Sequence, residues 1–354
     1  VLKTIALKIT METIMKQNTK NPTPERTLLN TRRALLQGGV GLATSALFNG
    51  NVFAQGSWPN KSLRVLVPFS AGGAADTSAR AISAAMGAIV NQSIVVENRT
   101  GGNAMIAAQA ALQAPADGYT FLWDAANQLT NPILLKNIPF DYKTSFIPVT
   151  LAVRVPQVLA VKENFPAKTL KEFVAYAKAN PKKIACGTPP SGGMGHLAMA
   201  MFQQVAGIEL IHTPYKGGAD AVRDLMGGQI DSTLLTLSTA ISAVQSGRAR
   251  ILGLTSLERT KSYPDIPTIA EQGYAGFDMD DWFGFFATKG TPSEAIQALQ
   301  AATAKAATDP AVIKTIDSRG MVLVANTPSQ FAAWLNTQRS ALESLIRTAN
   351  ISVG

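Results

Sequence analysis

The sequence predicts an α/β protein of two similar lobes, each a mainly parallel sheet flanked by helices, with a ligand cleft between the lobes. Three observations carry this reading. The chain has 354 residues, too many for one ordinary domain and about right for two. Strand and helix patterns alternate along most of it, which builds largely parallel sheets. One device, a strand running through a glycine-rich loop into a helix, occurs once in each half, at 67–76 and at 187–196. Apolar residues make up 46% and charged residues 16%, enough apolar material for two packed cores.

Each element follows from its local pattern. Leu63–Val67 reads as a buried strand, Ser70–Ala74 as a loop and Asp76–Val90 as a helix with Ala79, Ile82, Met86 and Ile89 on one face. Ile94–Glu97 is a strand, Asn98–Gly102 a turn, Ala104–Ala114 a helix and Tyr119–Trp123 a third strand. The pattern resumes with a strand at Val158–Val161, and Thr169 with Glu172 opens a helix at capping-box spacing. Strands at Lys183–Gly187 and Leu210–Thr213 flank a helix at Gly195–Ala206. A helix at Ala219–Met226 stops at Gly227-Gly228. Ile230–Leu235, Ala249–Leu254 and Phe283–Ala287 read as strands. The chain ends in helices at Ser293–Ala307, Pro310–Ser318 and Pro328–Ala349.

The net charge of +9 is unevenly placed, for residues 1–54 carry +5 of it. A mildly basic remainder suits a small anion better than a polyanion. No Lys/Arg-rich run with interleaved aromatics points to nucleic acid. Arg32-Arg33 precedes the moderately apolar stretch Ala34–Phe48, and Val52-Phe53-Ala54 then has the small-x-small ending of a cleavage site. That order predicts a secretory signal at 1–54, cut after Ala54, and Thr31-Arg32-Arg33 gives it a twin-arginine character. One cysteine, Cys186, and two histidines exclude an internal disulfide and a Cys-rich metal site, so neither metal nor cofactor is expected.

The two glycine loops are the most informative feature. Glycine permits tight turns and lets a ligand approach the backbone. The helix that follows offers unpaired N–H groups and the positive end of its dipole, which favours an anion such as a carboxylate. Such loops lie at the carboxyl ends of strands, where open α/β sheets bind ligands. Two cradles facing across a cleft would let a dicarboxylate bridge the lobes. Neither loop has the Gly-Lys-Ser/Thr ending of a phosphate loop, and Gly192-Gly193-Met194-Gly195 lacks the spacing of a dinucleotide fingerprint.

Trp58-Pro59, the run Val67–Asp76, Ala79-Arg80, Val96–Arg99, Ala116–Thr120, Pro214–Gly218, Asp224–Asp231 and Pro264–Thr268 together resemble the tripartite tricarboxylate transporter receptors, the Bug-type solute-binding proteins. The resemblance covers residues 57–354. It implies a periplasmic-binding-protein-like fold whose lobes are discontinuous, with 55–155 plus 282–354 in lobe 1 and 156–281 in lobe 2. It further implies a periplasmic monomer that delivers a small carboxylate to a membrane permease. The ligand carboxylate would be held by the first loop and the Ser191–Gly195 loop, partly through water. On one side this points to Phe69, Ser70, Gly72, Gly73, Ala74 and Asp76. On the other it points to Thr188, Ser191, Gly192, Gly193, Met194 and His196. Thr100–Met105 departs from the glycine-rich run usual in the family, and no contact is assigned there.

Several residues admit two roles. Asp76 can cap its helix or meet a polar ligand group. His196 can donate to a ligand or satisfy backbone, whereas His212 in an apolar strand reads as structural. Trp123, Asp124, Asn127 and Gln128 follow the third strand and are candidates for ligand selection, although Trp123 also suits the core. An aromatic carboxylate fits if Trp123 or Phe69 faces the cleft. Tyr215, Lys216 and Gly217 are placed to close from the second lobe. Two alternatives remain on sequence grounds: an exported hydrolase using Ser191 and a histidine, although the nucleophile-elbow motif is missing, and an orphan ligand sensor.

Overall fold

The computed structural model describes residues 58–352. The first run of elements is β1 (Leu63–Val67), α1 (Ala74–Val90), β2 (Ile94–Asn98), α2 (Met105–Gln113), β3 (Thr120–Asp124), α3 (Asn127–Leu134), α4 (Tyr142–Ser145) and β4 (Phe146–Val155). The second is β5 (Gln157–Lys162), α5 (Leu170–Ala179), β6 (Ala185–Thr188), α6 (Met194–Ala206), β7 (Ile211–Pro214), α7 (Gly218–Met226), β8 (Ser232–Thr236), α8 (Leu237–Gln245) and β9 (Ala249–Leu254). The chain closes with β10 (Asp281–Thr288), α9 (Ser293–Ala306), α10 (Pro310–Asp317), β11 (Val322–Leu323) and α11 (Pro328–Thr348).

Two sheets result, of six strands in the order β11-β4-β10-β3-β1-β2 and of five in the order β7-β6-β8-β5-β9. Both are mixed, where the sequence suggested mainly parallel. β1 pairs parallel with β2 and β3, and β6 with β7 and β8, as strand–helix–strand units require. The remaining pairings are antiparallel for a directional reason. The chain leaves the first sheet through β4 and returns to it through β10, so these strands run in opposite senses and pair over Phe146–Val155. In the same way β5 enters the second sheet and β9 leaves it, again antiparallel.

Only Pro156 separates β4 from β5, so one nearly continuous extended run serves both sheets. It is laced to the returning segment beside it. The Gln157 N–H donates to Thr255 Oγ1 at 3.1 Å and Gln157 Nε2 to the Met279 carbonyl at 3.0 Å. The Thr255 hydroxyl donates to the same Met279 carbonyl at 2.9 Å.

Periodicity decides which faces are covered. On α1, Ala75, Ala79, Ile82 and Met86 are buried at helical spacing and pack with Leu299 and Ala302 of α9 on one face of the first sheet. Ala221 and Leu225 of α7 and Ala240 of α8 cover one face of the second. A third cluster joins the opposite faces of both, running from Leu122 and Phe286 through Trp282 and Phe331 to Met194, Phe202 and Phe173. The capping box expected at Thr169–Glu172 is formed, with the Thr169 hydroxyl accepting from the Glu172 N–H. Elements the sequence reading passed over are α3, α4, β4, α8 and β11. α3 contains Pro132, and Leu237-Ser238-Thr239-Ala240 opens α8 with residues that also favour turns, which masks both patterns.

The β4–β10–α11 packing sets a tight steric test. A Cβ on Gly284 would lie 2.6 Å from Phe331 Cζ and 2.8 Å from the Thr150 carbonyl oxygen. Gly284→Ala is expected to lower stability by about 1–3 kcal/mol, the usual cost of overpacking, read as a reduced urea midpoint at unchanged slope.

Candidate functional site

The two glycine loops share one backbone geometry. Gly72 and Gly192 take the left-handed region at φ 81° and 75°, which a side chain at either would disfavour. Gly73 and Gly193 then cap α1 and α6 at φ/ψ of −75°/177° and −74°/169°. Neither cap provides a side-chain hydrogen bond, and the same is true of Gly217 before α7 and Thr236 before α8. In α4, α5, α10 and α11, by contrast, Asp141, Thr169, Asp309 and Thr327 accept from first-turn N–H groups. α2, α3 and α9 also start without a side-chain cap; of the uncapped helices, α1, α6, α7 and α8 bring first-turn donors and the positive ends of their dipoles to one place.

That place is a cavity between the sheets. Its wall takes Ala74 and Ala75 from α1, Met194 from α6, Gly218 from α7 and Thr239 from α8. Phe69 and Phe283 form an apolar side, edge to face at 6.0 Å, and Trp123 stacks behind Phe283 at 6.3 Å. No Lys or Arg lines the cavity, and Asp281 is its one ionisable wall residue among the described residues. The sheets' elements meet around it. The Ala74 N–H donates to Thr239 Oγ1 at 2.9 Å, and the Ser70 hydroxyl donates to Asp220. On the other side Thr130 Oγ1 donates to the Gly192 carbonyl at 2.7 Å and Asn127 Nδ2 to the Ser191 carbonyl at 3.3 Å.

Of the residues singled out in the sequence, Phe69, Gly73, Ala74, Asn127, Gly193 and Met194 line this cavity. The others stand around it. Asp76 braces the first loop, accepting from the Gly72 N–H at 2.9 Å, Arg80 Nε at 2.9 Å and Asn98 Nδ2 at 3.0 Å. Ser191 and Gly192 turn their carbonyls to α3. Thr188 bonds His212 at 2.7 Å, and Tyr215 donates to Asp224 at 3.0 Å. Gly217 packs on Ser70, next to the exposed Lys216. Trp123 and Asp124 are fully buried in the first sheet, and Gln128 borders a separate hollow with Tyr142 and Phe146. Sequence reasoning missed Thr236, Thr239, Gly218, Asp281 and Phe283. Thr236 ends a strand that precedes a helix, so the carboxyl-end rule would have found it had α8 been read as a helix.

The histidines have structural partners. Their rings stack at 3.9 Å and 11°, and His196 Nδ1 accepts the Gly192 N–H at 3.1 Å. Neither ring bonds Ser191; His212 is held by Thr188. Burial pushes both down to about 4, helped at His196 by its neighbour His212. Burial also pushes the Cys186 thiol up to about 12, which leaves it inert. No group of His, Cys, Asp and Glu able to hold a metal occurs among the described residues, and no helix there is long and apolar enough to cross a membrane.

Two sheets, the first discontinuous in the chain and the second built from one stretch, with helix N-termini opposed around one cavity define the class of two-lobed solute-binding receptors. The chain belongs to the tripartite tricarboxylate transporter family receptors, whose model matches residues 78–351. It is similar to the periplasmic binding protein BugD, with 32% identity and a TM-score of 0.80 over 83% of this chain and 99% of that one. An R. palustris protein with adipate shares 30% identity and a TM-score of 0.81 over 83% and 99% of the two chains. MatC from Rhodopseudomonas palustris with bound malate shares 26% and 0.77 over 81% and 99%. Family and neighbours are solute-binding receptors rather than enzymes, which removes the hydrolase reading. The predicted signal at 1–54 lies outside the described residues.

Two outcomes follow from this geometry. A Cβ on Gly217 would lie 2.6 Å from the Ser70 nitrogen of the facing lobe, while its own φ of −171° suits any residue. Gly217→Ala is therefore expected to leave stability nearly unchanged and to weaken ligand binding at least tenfold, seen by calorimetry and by a larger radius of gyration with ligand. Protonation gives the second. Burial pushes Asp124 from 3.8 up to about 7, so its contribution is present at low pH and lost as pH rises through that window. The histidines act oppositely, losing their contribution as pH falls from 6.5 towards about 4. Asp124→Asn removes the first effect alone. Its stability relative to the parent is expected to rise by up to roughly 4 kcal/mol between pH 4 and pH 8, measured by urea titration.

Proposed function

We propose that this receptor works in the periplasm, capturing a small carboxylate or dicarboxylate between its lobes and presenting the closed form to the membrane permease of a tripartite transporter. The observation that carries this reading is the convergence of four uncapped helix N-termini on one cavity without a basic side chain. Backbone donors and helix dipoles, rather than lysine or arginine, then neutralise the bound anion. Because α1 belongs to one sheet and α6, α7 and α8 to the other, a ligand bonded to both groups stabilises closure by its differential contacts. Phe69 and Phe283 suit an apolar stem between polar ends, aliphatic or aromatic. Adipate and malate in the two R. palustris neighbours support a carboxylate as the ligand class, and BugD supports the periplasm as the place of action.

The test is calorimetric titration of protein unfolded and refolded to strip carried-over ligand, against aliphatic and aromatic mono- and dicarboxylates. One-to-one binding is expected for at least one of them. A Cβ on Gly193 would sit 2.7 Å from the Pro189 carbonyl oxygen, so Gly193→Ala must distort the second loop and is expected to cut that affinity at least tenfold. If no carboxylate binds the refolded protein, the proposal fails.

A further inference from the structure

We propose that the hollow bordered by Gln128 is a second binding site, apart from the cavity between the sheets, for a small anion that carries an amide beside an apolar body. The hollow is enclosed by α3, α4, β4, β10 and α11, and none of its wall residues lines the cavity. Asn127 meets the cavity and Gln128 the hollow, so the two spaces lie on different sides of α3. The inference stands apart from carboxylate capture, since it uses other residues.

Gln128 is the observation that points to a ligand. It is 4% exposed, and both its Nε2 and its Oε1 are buried without a hydrogen-bond partner in the protein. Its neighbours on α3 are better served. Thr130 Oγ1 donates to the Gly192 carbonyl at 2.7 Å, and Asn131 Nδ2 donates to the Asn103 carbonyl at 2.8 Å and the Tyr142 hydroxyl at 2.9 Å. A buried amide with neither its donor nor its acceptor answered costs free energy, and an apolar side chain of the same length would avoid that cost. A second amide answers both atoms at once, its N–H donating to Oε1 and its carbonyl accepting from Nε2.

The rest of the wall sets the other two features. Leu129, Phe146, Phe286 and Leu335 are buried and give an apolar lining. The exposed Lys143 and the half-buried Arg339 supply positive charge, and no acidic residue lines the hollow. Neither cation forms an ion pair among the described residues. Asp141, close in sequence to Lys143, accepts instead from the Lys143 N–H at 2.8 Å and the Thr144 hydroxyl at 3.0 Å. The cavity between the sheets is the reverse case, with no Lys or Arg in its wall. Two unanswered cations over an apolar lining favour an anion with an apolar body.

The experiment compares hippurate, which has a phenyl ring, an amide and a carboxylate, with 3-benzoylpropionate, in which a methylene replaces the amide N–H. Both are titrated calorimetrically into protein unfolded and refolded to strip carried-over ligand. The parent is expected to bind hippurate at least tenfold tighter, because the ketone leaves Gln128 Oε1 without a donor. Gln128→Met keeps the length and removes both polar atoms. It is expected to erase the difference by weakening hippurate, with a urea midpoint equal to or above the parent's. Arg339→Gln is expected to weaken both compounds at least threefold. Gly217→Ala, at the cavity, is expected to change neither. The site is overturned if the parent binds no hippurate, binds the two compounds equally, or keeps its hippurate affinity in both Gln128→Met and Arg339→Gln. Loss of hippurate in Gly217→Ala puts the compound in the cavity and overturns the second site while leaving carboxylate capture intact. A lowered urea midpoint in Gln128→Met overturns it as well, since that marks an amide the fold itself uses.

Discussion

The first N–H groups of a helix have no partner inside the helix, and this structure places four such ends against one cavity. An N–H removed from water without an acceptor costs about 1–3 kcal/mol, so the donors must be answered by something. Part of the answer comes from the facing lobe, where Thr239 Oγ1 accepts the Ala74 N–H. The same need explains the glycines. A side chain at Gly193 would strike the Pro189 carbonyl, and Gly72 and Gly192 supply the positive φ that swings each loop into its helix. Under the proposed carboxylate capture, ligand and lobe contact would draw on the same donors, so a ligand anion that supplies better acceptors would strengthen closure.

The way the sheets are joined restricts how those donors can separate. β4 and β5 form one extended run broken only at Pro156, and the returning segment through Thr255 and Met279 is hydrogen-bonded along it. Sliding one lobe past the other would break these bonds or the β4–β10 ladder. Rotation about the paired crossings breaks neither, which is the geometry of hinge closure. The antiparallel pairings β4–β10 and β5–β9 follow from the same chain path: chain leaving a sheet and chain re-entering it run in opposite directions.

Much of this was legible in the sequence, and what was not has physical causes. Alternating strand and helix periods located β1 to β3 and β6 to β9, because apolar spacing reports directly on which face is buried. The paired glycine loops pointed to the cavity, since glycine at a strand–helix junction reports a backbone requirement that no other residue meets. Phe69, Gly73, Gly193 and Met194 are contiguous with those loops and were found with them. Asp281 and Phe283 were not, because they reach the cavity from a strand more than 80 residues beyond the second loop, through tertiary pairing alone. Thr239 sits in a Ser/Thr-rich helix whose composition also fits a turn. Trp123 and Asp124 follow the rule for strand ends, yet the sheet encloses both, so position along a strand gave the end and not the direction of the side chain.

The acidic residues near the helix N-termini that face the cavity are met by local partners. A carboxylate in the first turn would ordinarily claim the donors and the positive potential for itself. Asp76 in α1 is turned back onto the loop and bonded to Arg80 and Asn98, so its charge is met away from the cavity. Asp220 in α7 accepts from Ser70 and from Arg223 at 3.2 Å. Each is held by an arginine of its own helix, three or four residues on. Asp280, outside any helix, is met instead by Arg154 of β4. Asp281 departs from both: it is the wall carboxylate that no arginine or lysine answers. Asp124, enclosed by the first sheet, and Asp281, in the cavity wall, both stand outside these ion pairs, and burial pushes both carboxyls up to about 7.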